Sequence, residues 1–358
     1  MTDGAASTGW FGRHPTATMV ILTLALLVPG DYLLGTVTNK LPLGAVRDAH
    51  FHHGLLPDMD ERVPWGGGNV SYRRVTNSLG LRDAARRDVP LKGAQRRILF
   101  IGDSFTEGVG LDYEQTFVGR IAAALAPRGI EVLNAGVQSY SPKLEYLKVK
   151  DLVERLGLTF DEIELYVDVS DVQDEIMYQP FVPGFTRDHI VHRSADWLTK
   201  HSLIARTMLN SLRGSFSQSV QRSFGNDGLQ ERALWTVDDA VWNRYGQRGM
   251  ALAQANMALL ADYAKARGIA LRLWVYPWPE QILRNDLESR QVTLWRAFAV
   301  QHALPFTSLF ADFVKPDAQA QIHRYFINDD SHWNEAGHAL IARRWLEERG
   351  YVPPTAAR

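Results

Sequence analysis

The chain has 358 residues, of which 46% are hydrophobic and 10% aromatic, so it has enough apolar material for a well-buried globular core. Its 39 lysines and arginines balance 40 acidic residues, which leaves no basic field to attract nucleic acid and no acidic tail. The lack of cysteine excludes disulfides, thiolate metal sites and a cysteine nucleophile, but it fits a cytosolic or a periplasmic protein equally well.

An apolar segment near the N-terminus predicts a membrane anchor after a tail of residues 1–16. Residues 17–37 read ATMVILTLALLVPGDYLLGTV, close to the roughly 20 apolar residues that a spanning helix needs. A charge is tolerated mainly near the end of a span, so Asp31 and Tyr32 are expected at one membrane interface. A cleaved signal peptide and a buried core helix are the alternatives, although no convincing small-residue cleavage site follows. Basic residues flank both sides, so charge leaves the orientation open.

Residues 38–94 are punctuated by glycine and proline and keep no period of 3.6 or 2. This juxtamembrane extension is predicted as extended segments and turns that pack on the main domain. Within it, His50, His52 and His53 form a short cluster that lacks carboxylates or cysteines at metal-ligand spacing. We interpret the cluster as a polar turn, and no metal site is expected.

Strands and helices alternate along the rest of the chain. The five predicted strands are RILFIG, IEVLNAGV, EIELYVDVS, IALRLWVYP and PFTSLF, and amphipathic helices separate them. This pattern predicts one doubly wound α/β domain over residues 95–350, with a five-stranded parallel sheet between two layers of helices. Residues 172–245 break the alternation and are interpreted as a mainly helical insertion. The insertion forms a lid or docking surface, or it has no role in chemistry.

The stretch RRILFIGDSFTEGVG, at the end of the first of these strands, has two interpretations. Ser104 and Glu107 match the S-x-x-E capping box, in which the serine starts a helix and the glutamate bonds back. Alternatively, Ser104 is a nucleophile at the carboxyl edge of the sheet, where open α/β sheets bind their ligands. A phosphate-binding loop is a poorer interpretation, because neither GxxxxGK[ST] nor GxGxxG is present.

A second stretch, FINDDSHWNEAGHAL, favours the nucleophile. A serine needs a base within hydrogen-bond reach, and the base needs a carboxylate that holds its tautomer. His332 is the candidate base and Asp329 the candidate carboxylate, with Asp330 as the rival. Because this stretch follows the last predicted strand, the fold brings His332 to the sheet edge that carries Ser104.

Three blocks in this order resemble the SGNH, or GDSL, hydrolase superfamily. GDSFTEG is similar to its nucleophile block, NAGVQSYSP to its glycine block, and the D-x-x-H of residues 329–332 to its last block. The resemblance covers about residues 95–350. It implies a flavodoxin-like three-layer α/β/α sandwich and an enzyme that acts on ester bonds without a cofactor.

The residue roles follow from the same resemblance. Ser104 is expected to be the nucleophile, His332 the general base and acid, and Asp329 the carboxylate that orients His332. The amides of Ser104 and Gly136 are expected to donate to the oxyanion that forms during acyl transfer. No metal is involved in these roles.

One block departs from the family pattern. After the third strand the family usually has G-x-N-D, whose asparagine is a third oxyanion donor, whereas this sequence has YVDVSDVQDE. Ser170 takes the place of the asparagine, and its shorter hydroxyl is the candidate replacement. Losing one such donor typically costs about a hundredfold to a thousandfold in rate. Because Asp168 would repel an oxyanion, its carboxylate is expected to point away or to bond the backbone.

The anchor and the TNSLGLRD segment resemble the membrane-anchored bacterial members of this superfamily, which work beside MBOAT-type O-acyltransferases on exported polysaccharides. The resemblance implies a single-pass protein of the bacterial inner membrane with its catalytic domain in the periplasm. Its Ser104 would pass an acyl group, typically acetyl, to water or to a sugar hydroxyl. The alternative is a non-catalytic scaffold of the same fold, whose oxyanion hole has decayed and whose aromatic insertion docks a membrane partner.

Overall fold

The computed structural model describes residues 9–38, 45–65, 70–184, 190–191, 194, 197–199, 201–208 and 229–353. The chain forms two compact units. The smaller comprises Met1–Leu41 and Arg187–Ser223, and the larger comprises Pro42–Thr186 and Phe224–Arg358.

The smaller unit contains the short helix α1 (Trp10–Arg13) and the long helix α2 (Pro15–Thr38). Helix α2 has 24 residues and is long and apolar enough to cross a membrane. It continues through Asp31, whose carboxylate accepts a hydrogen bond from the Ile204 amide at 2.9 Å. Part of the predicted insertion therefore packs on the apolar helix, a contact that the sequence did not indicate.

The larger unit begins with two antiparallel hairpins. Strands β1 (Ala45–Asp48) and β2 (His52–Leu55) form the first, and β3 (Asp60–Trp65) and β4 (Val70–Val75) form the second. The described residues of the extension up to residue 75 thus contain paired strands, which are the extended segments that the sequence predicts, and residues 76–94 are mostly turns and irregular backbone. The Tyr140 hydroxyl donates to the His53 carbonyl at 2.7 Å, which ties the first hairpin to the loop after the second strand of the central sheet.

The central sheet has five parallel strands, as the sequence predicts. They are β5 (Arg96–Gly102), β6 (Ile130–Asn134), β7 (Glu162–Val167), β8 (Ala270–Val275) and β9 (Phe306–Ser308). Their spatial order is β6-β5-β7-β8-β9, which is the flavodoxin-like order 2-1-3-4-5. The order reverses beside β5, so a ligand site is expected at the carboxyl end of that strand.

Twelve α-helices of the larger unit surround or connect these strands in the described part of the chain. They are α3 (Ser104–Glu107), α4 (Phe117–Leu125), α5 (Pro142–Lys150), α6 (Asp171–Tyr178), α7 (Leu229–Leu234), α8 (Asp239–Val241), α9 (Gln247–Ala266), α10 (Pro279–Leu283), α11 (Arg290–Gln301), α12 (Phe310–Phe313), α13 (Ala318–Tyr325) and α14 (Glu335–Glu348). Helix α4 packs against α14, and α5 packs against α9. Right-handed crossovers place these two pairs on opposite faces of the sheet.

The strands are apolar because both faces of the sheet are covered. Ile98, Leu99, Phe100 and Ile101 of β5 have no accessible surface, and all six residues of β7 are buried. Such continuous runs are typical of parallel strands between two helical layers. The three-layer α/β/α architecture predicted from the alternation is therefore confirmed.

One buried carboxyl group in the sheet makes the stability of the fold depend on pH. Glu164 on β7 has no accessible surface, and its carboxyl group accepts a hydrogen bond from the indole of Trp274 at 2.5 Å. Burial raises the pKa of Glu164 to about 7, although the bond from Trp274 opposes the shift. Folding therefore favours the protonated form of Glu164, which adds roughly 3 kcal/mol to the free energy of unfolding at low pH. This contribution is lost as the pH rises from the unfolded pKa through about 7.

We expect Glu164→Gln to remove this dependence, because glutamine stays neutral and keeps an acceptor for Trp274. Between about pH 5 and 8, the free energy of unfolding should fall more for the wild type than for the variant. Denaturant titrations across that range measure the difference. Parallel pH profiles for the two proteins would contradict the assignment.

Candidate active site

The serine of GDS lies at the turn from β5 into α3. Asp103 caps α3, because its Oδ1 accepts the Phe105 amide at 2.9 Å. Glu107 turns to the neighbouring loop, where its carboxylate accepts the Gln138 amide at 2.8 Å. The capping-box interpretation of Ser104 is therefore wrong. A neighbouring aspartate does the capping, which leaves the serine hydroxyl free for another partner.

That partner is the imidazole of His332. Ser104 Oγ lies 2.8 Å from His332 Nε2, and His332 Nδ1 lies 2.5 Å from Asp330 Oδ1. A carboxylate only accepts hydrogen bonds, so the proton of the neutral ring is assigned to Nδ1. Nε2 then accepts the serine proton. The structure thus joins residues 228 positions apart into a serine, histidine and carboxylate relay.

This geometry corrects the prediction of which aspartate orients His332. Asp330, and not Asp329, contacts His332, and its Oδ1 accepts both the backbone amide and the ring of the histidine. Asp329 has a φ of 58°, in the left-handed region, so the backbone turns at this residue. Its side chain lines a neighbouring cavity of about 540 Å³. The D-x-x-H spacing therefore selected the wrong member of the pair.

A tryptophan from the extension completes the relay. Trp65, the last residue of β3, donates from Nε1 to Asp330 Oδ2 at 2.8 Å. Its ring also meets the His332 ring edge-on, with centroids 5.0 Å apart. Burial opposes ionisation of Asp330, but the hydrogen bonds and charge of His332 and the bond from Trp65 outweigh it and hold the pKa of Asp330 below its usual range. Sequence reasoning missed Trp65, because nothing local distinguishes it from other aromatic residues.

We expect Trp65→Phe to lower kcat/KM for a small aryl ester by about tenfold. Phenylalanine keeps the aromatic contact but removes the donor to Asp330, and a hydrogen bond to a charged group contributes about 1.5–3 kcal/mol. Steady-state kinetics test this, with thermal unfolding as the check on the fold. A variant as active as the wild type would show that Trp65 is only a packing residue.

The structure also argues against the predicted role of the Gly136 amide as an oxyanion donor. Its amide donates to Asn134 Oδ1 at 2.9 Å and is therefore already used. A side chain at Gly136 would collide with the backbone of Thr106 and Glu107, so glycine is required here for close packing. The same loop reaches the serine further along, where Gln138 and Ser139 line its cavity. Glycine therefore signals tight packing at this position rather than a donor.

Ser170 lies where the sequence placed it, at the same cavity as Ser104. It precedes α6, and its hydroxyl makes no capping bond to that helix. The prediction for Asp168 is confirmed, because its Oδ1 accepts the Ser170 amide at 2.7 Å and its Oδ2 accepts Trp278 Nε1 at 2.7 Å. The Ser104 amide, in the first turn of α3, has no acceptor among the described residues. It remains available to an oxyanion.

Ser104 opens into a small cavity of about 180 Å³. A space of this size holds a small acyl group with its carbonyl. Side chains from both the extension and the insertion contribute to its wall. The lining residues are Trp65, Asp103, Ser104, Gln138, Ser139, Ser170, Arg232, Trp278, Asp330, Ser331 and His332.

The histidine cluster of the extension contacts the loop that carries Gln138, which lines this cavity. His53 bonds the Gln138 carbonyl through Nε2 at 2.9 Å, and His52 and His53 approach each other through their Nδ1 atoms at 2.7 Å. In the described ranges, no group of three or more histidine, aspartate or glutamate side chains is arranged to hold a metal ion. The cluster therefore supports the loop that carries Gln138.

The sequence matches no family model and no curated protein. Among solved structures, a variant of Axe2, an acetyl xylan esterase from Geobacillus stearothermophilus, is 16% identical, with a TM-score of 0.41 over 75% of this chain and 100% of its own. A lipolytic G-D-S-L protein from Veillonella parvula is 13% identical, with a TM-score of 0.39 over 72% and 100% of the two chains. A GDSL-like lipase from Bacteroides thetaiotaomicron is 14% identical, with a TM-score of 0.38 over 73% and 93%.

Proposed function

We propose that this protein is a serine-dependent SGNH esterase or O-acyltransferase that forms an acyl-Ser104 intermediate. The observation that carries the proposal is the relay of Ser104 Oγ to His332 Nε2 at 2.8 Å and His332 Nδ1 to Asp330 Oδ1 at 2.5 Å. A serine hydroxyl is a weak nucleophile until a base takes its proton, and this arrangement supplies that base in the correct tautomer.

The first half of the reaction follows from the placement of these atoms. As Ser104 Oγ bonds to the ester carbonyl carbon, its proton moves to His332 Nε2, and Asp330 stabilises the resulting imidazolium. The carbonyl electron pair moves to oxygen, where the Ser104 amide donates to it. When the pair returns, the bond to the alcohol breaks, and His332 gives its proton to the leaving oxygen. Ser104 is then acylated.

The second half depends on the acceptor. Water yields the free acid and completes an ester hydrolysis, whereas a sugar hydroxyl yields a new ester and completes an acyl transfer. In both cases His332 takes the proton of the acceptor, and Ser104 Oγ leaves with it. The small cavity supports a short acyl group such as acetyl, and we propose an extracytoplasmic polysaccharide as the ester or the acceptor.

We further propose that α2 anchors the enzyme in the bacterial inner membrane with the catalytic unit in the periplasm. The length and apolar composition of the helix support a membrane span, and the membrane and the orientation are proposed from the sequence resemblance. An MBOAT-type acyltransferase is the proposed membrane partner, on the basis of the sequence resemblance. Recovery of the full chain in alkali-washed membranes and protease accessibility from the periplasmic side test the topology, and co-purification with the acyltransferase tests the partner.

A fluorophosphonate probe separates this proposal from a non-catalytic scaffold. The probe phosphonylates only an activated serine, so the wild type should be labelled at Ser104. A scaffold with a decayed site would stay unlabelled and would not turn over an aryl acetate. Labelling with turnover supports the esterase, and the absence of both would refute it.

A further inference from the structure

We propose that Arg232 is the third oxyanion donor of this enzyme and replaces the asparagine that the sequence lacks at position 170. This assignment rests on the function proposed above. It gives a role in chemistry to the insertion, because Arg232 belongs to α7 within residues 172–245.

The first support is position. Arg232 lines the same cavity of about 180 Å³ as Ser104 and Ser170. An ester carbonyl bound at the serine therefore shares one cavity with the Arg232 side chain. The Arg232 side chain keeps 23% of its surface accessible, so it is largely enclosed but not sealed off.

The second support is the way the guanidinium is held. Arg232 Nη2 lies 2.7 Å from Asp174 Oδ1 on α6, and the Asp174 amide bonds the Ser170 carbonyl at 3.1 Å. The ion pair therefore fixes Arg232 to the helix turn that carries Ser170. A guanidinium has five N–H groups in a rigid plane, so one bond to Asp174 leaves donors for the substrate. Donors held in place before the reaction stabilise an oxyanion best.

The third support is that both indole donors of the wall are engaged. Trp65 Nε1 donates to Asp330, and Trp278 Nε1 donates to Asp168. Gln138 is neutral, and the Ser170 hydroxyl is short. Arg232 is thus the cationic donor among the described residues that line this cavity.

The surrounding charges are compatible with this role. Asp103 lies beside the serine, with Oδ2 at 3.3 Å from Ser104 Oγ. Burial, and then the charge of Asp168, raise the pKa of Asp103 well above its usual range. This shift favours the neutral carboxyl group of Asp103 and so weakens its repulsion of an oxyanion. During attack, Arg232 donates a hydrogen bond to the carbonyl oxygen as the electron pair arrives there, and no proton is transferred.

The test combines Arg232→Gln with Ser170→Asn, using a neutral aryl acetate as substrate. Arg232→Gln should lower kcat by about a hundredfold and change KM less than threefold, since an oxyanion forms only in the transition state. Ser170→Asn should raise kcat of the Arg232→Gln variant by at least about tenfold, because it restores the missing amide. Arg296→Gln, which removes an exposed ion pair, is the matched control.

Three outcomes overturn the assignment. One is a kcat of Arg232→Gln within about threefold of the wild type. Another is a loss of kcat that Ser170→Asn does not recover, which indicates a structural role and should coincide with a lower melting temperature. The third is a rise in KM confined to an anionic ester such as a succinate monoester, which indicates recognition of a substrate carboxylate. If the wild type itself neither labels with fluorophosphonate nor turns over the acetate, the proposed function fails instead.

Discussion

Ser104→Ala should lower kcat for an aryl acetate by about a millionfold, to the residual rate that binding and the oxyanion hole provide. The variant has no oxygen to attack the carbonyl, whereas the cap of α3 comes from Asp103 and stays intact. The melting temperature should therefore change little. Initial-rate kinetics with the purified full chain measure the loss.

Ser308→Ala is the control for this prediction. Ser308 lies on β9 at the far edge of the sheet, so the variant should keep wild-type kinetics. A Ser104→Ala protein that retains even about one per cent of wild-type kcat would show that another group attacks the ester.

Asp330→Asn should lower kcat/KM by about ten-thousandfold, the loss typical when the carboxylate of such a relay becomes an amide. The asparagine has no negative charge to stabilise the imidazolium, and its single oxygen cannot accept from Trp65 Nε1 and from the ring and backbone of His332 at once. When the amide nitrogen faces Nδ1, the ring proton moves to Nε2, and Nε2 no longer takes the proton of Ser104. The side-chain shape is preserved, so the fold should be retained.

Asp329→Asn, one residue away, is the matched control. Its side chain lines the neighbouring cavity rather than contacting the imidazole, so kcat/KM for a small aryl ester should stay within a few-fold of the wild type. If Asp329→Asn were the damaging substitution and Asp330→Asn the mild one, the D-x-x-H spacing would be the correct guide and the observed relay would not be the working one.

The central sheet was predictable because its signals are local. The run RILFIG reads as a strand buried on both faces, and the order of strands and helices then places Ser104 and His332 at one edge. The positions of Ser104 and His332 depend only on where the neighbouring strands and helices end. Their approach to 2.8 Å follows from the topology.

The remaining residues of the site depend on backbone detail and on contacts across the chain. Asp330 replaces Asp329 because of the left-handed φ of Asp329, which no spacing rule contains. Gly136 is excluded as an oxyanion donor because its amide already donates to Asn134 Oδ1. Trp65 and Arg232 come from segments whose sequence carries no motif, and only the folded chain brings them to the serine.

The proposed function requires that an acyl group resides on Ser104 during turnover. Intact-protein and peptide mass spectrometry of the wild type, acid-quenched within the first turnover of an aryl acetate, measures this directly. We expect one added acetyl group, located on the peptide that contains Ser104 and absent from the Ser104→Ala variant. Turnover without any acylated enzyme, or an acetyl group on a different residue, would contradict it.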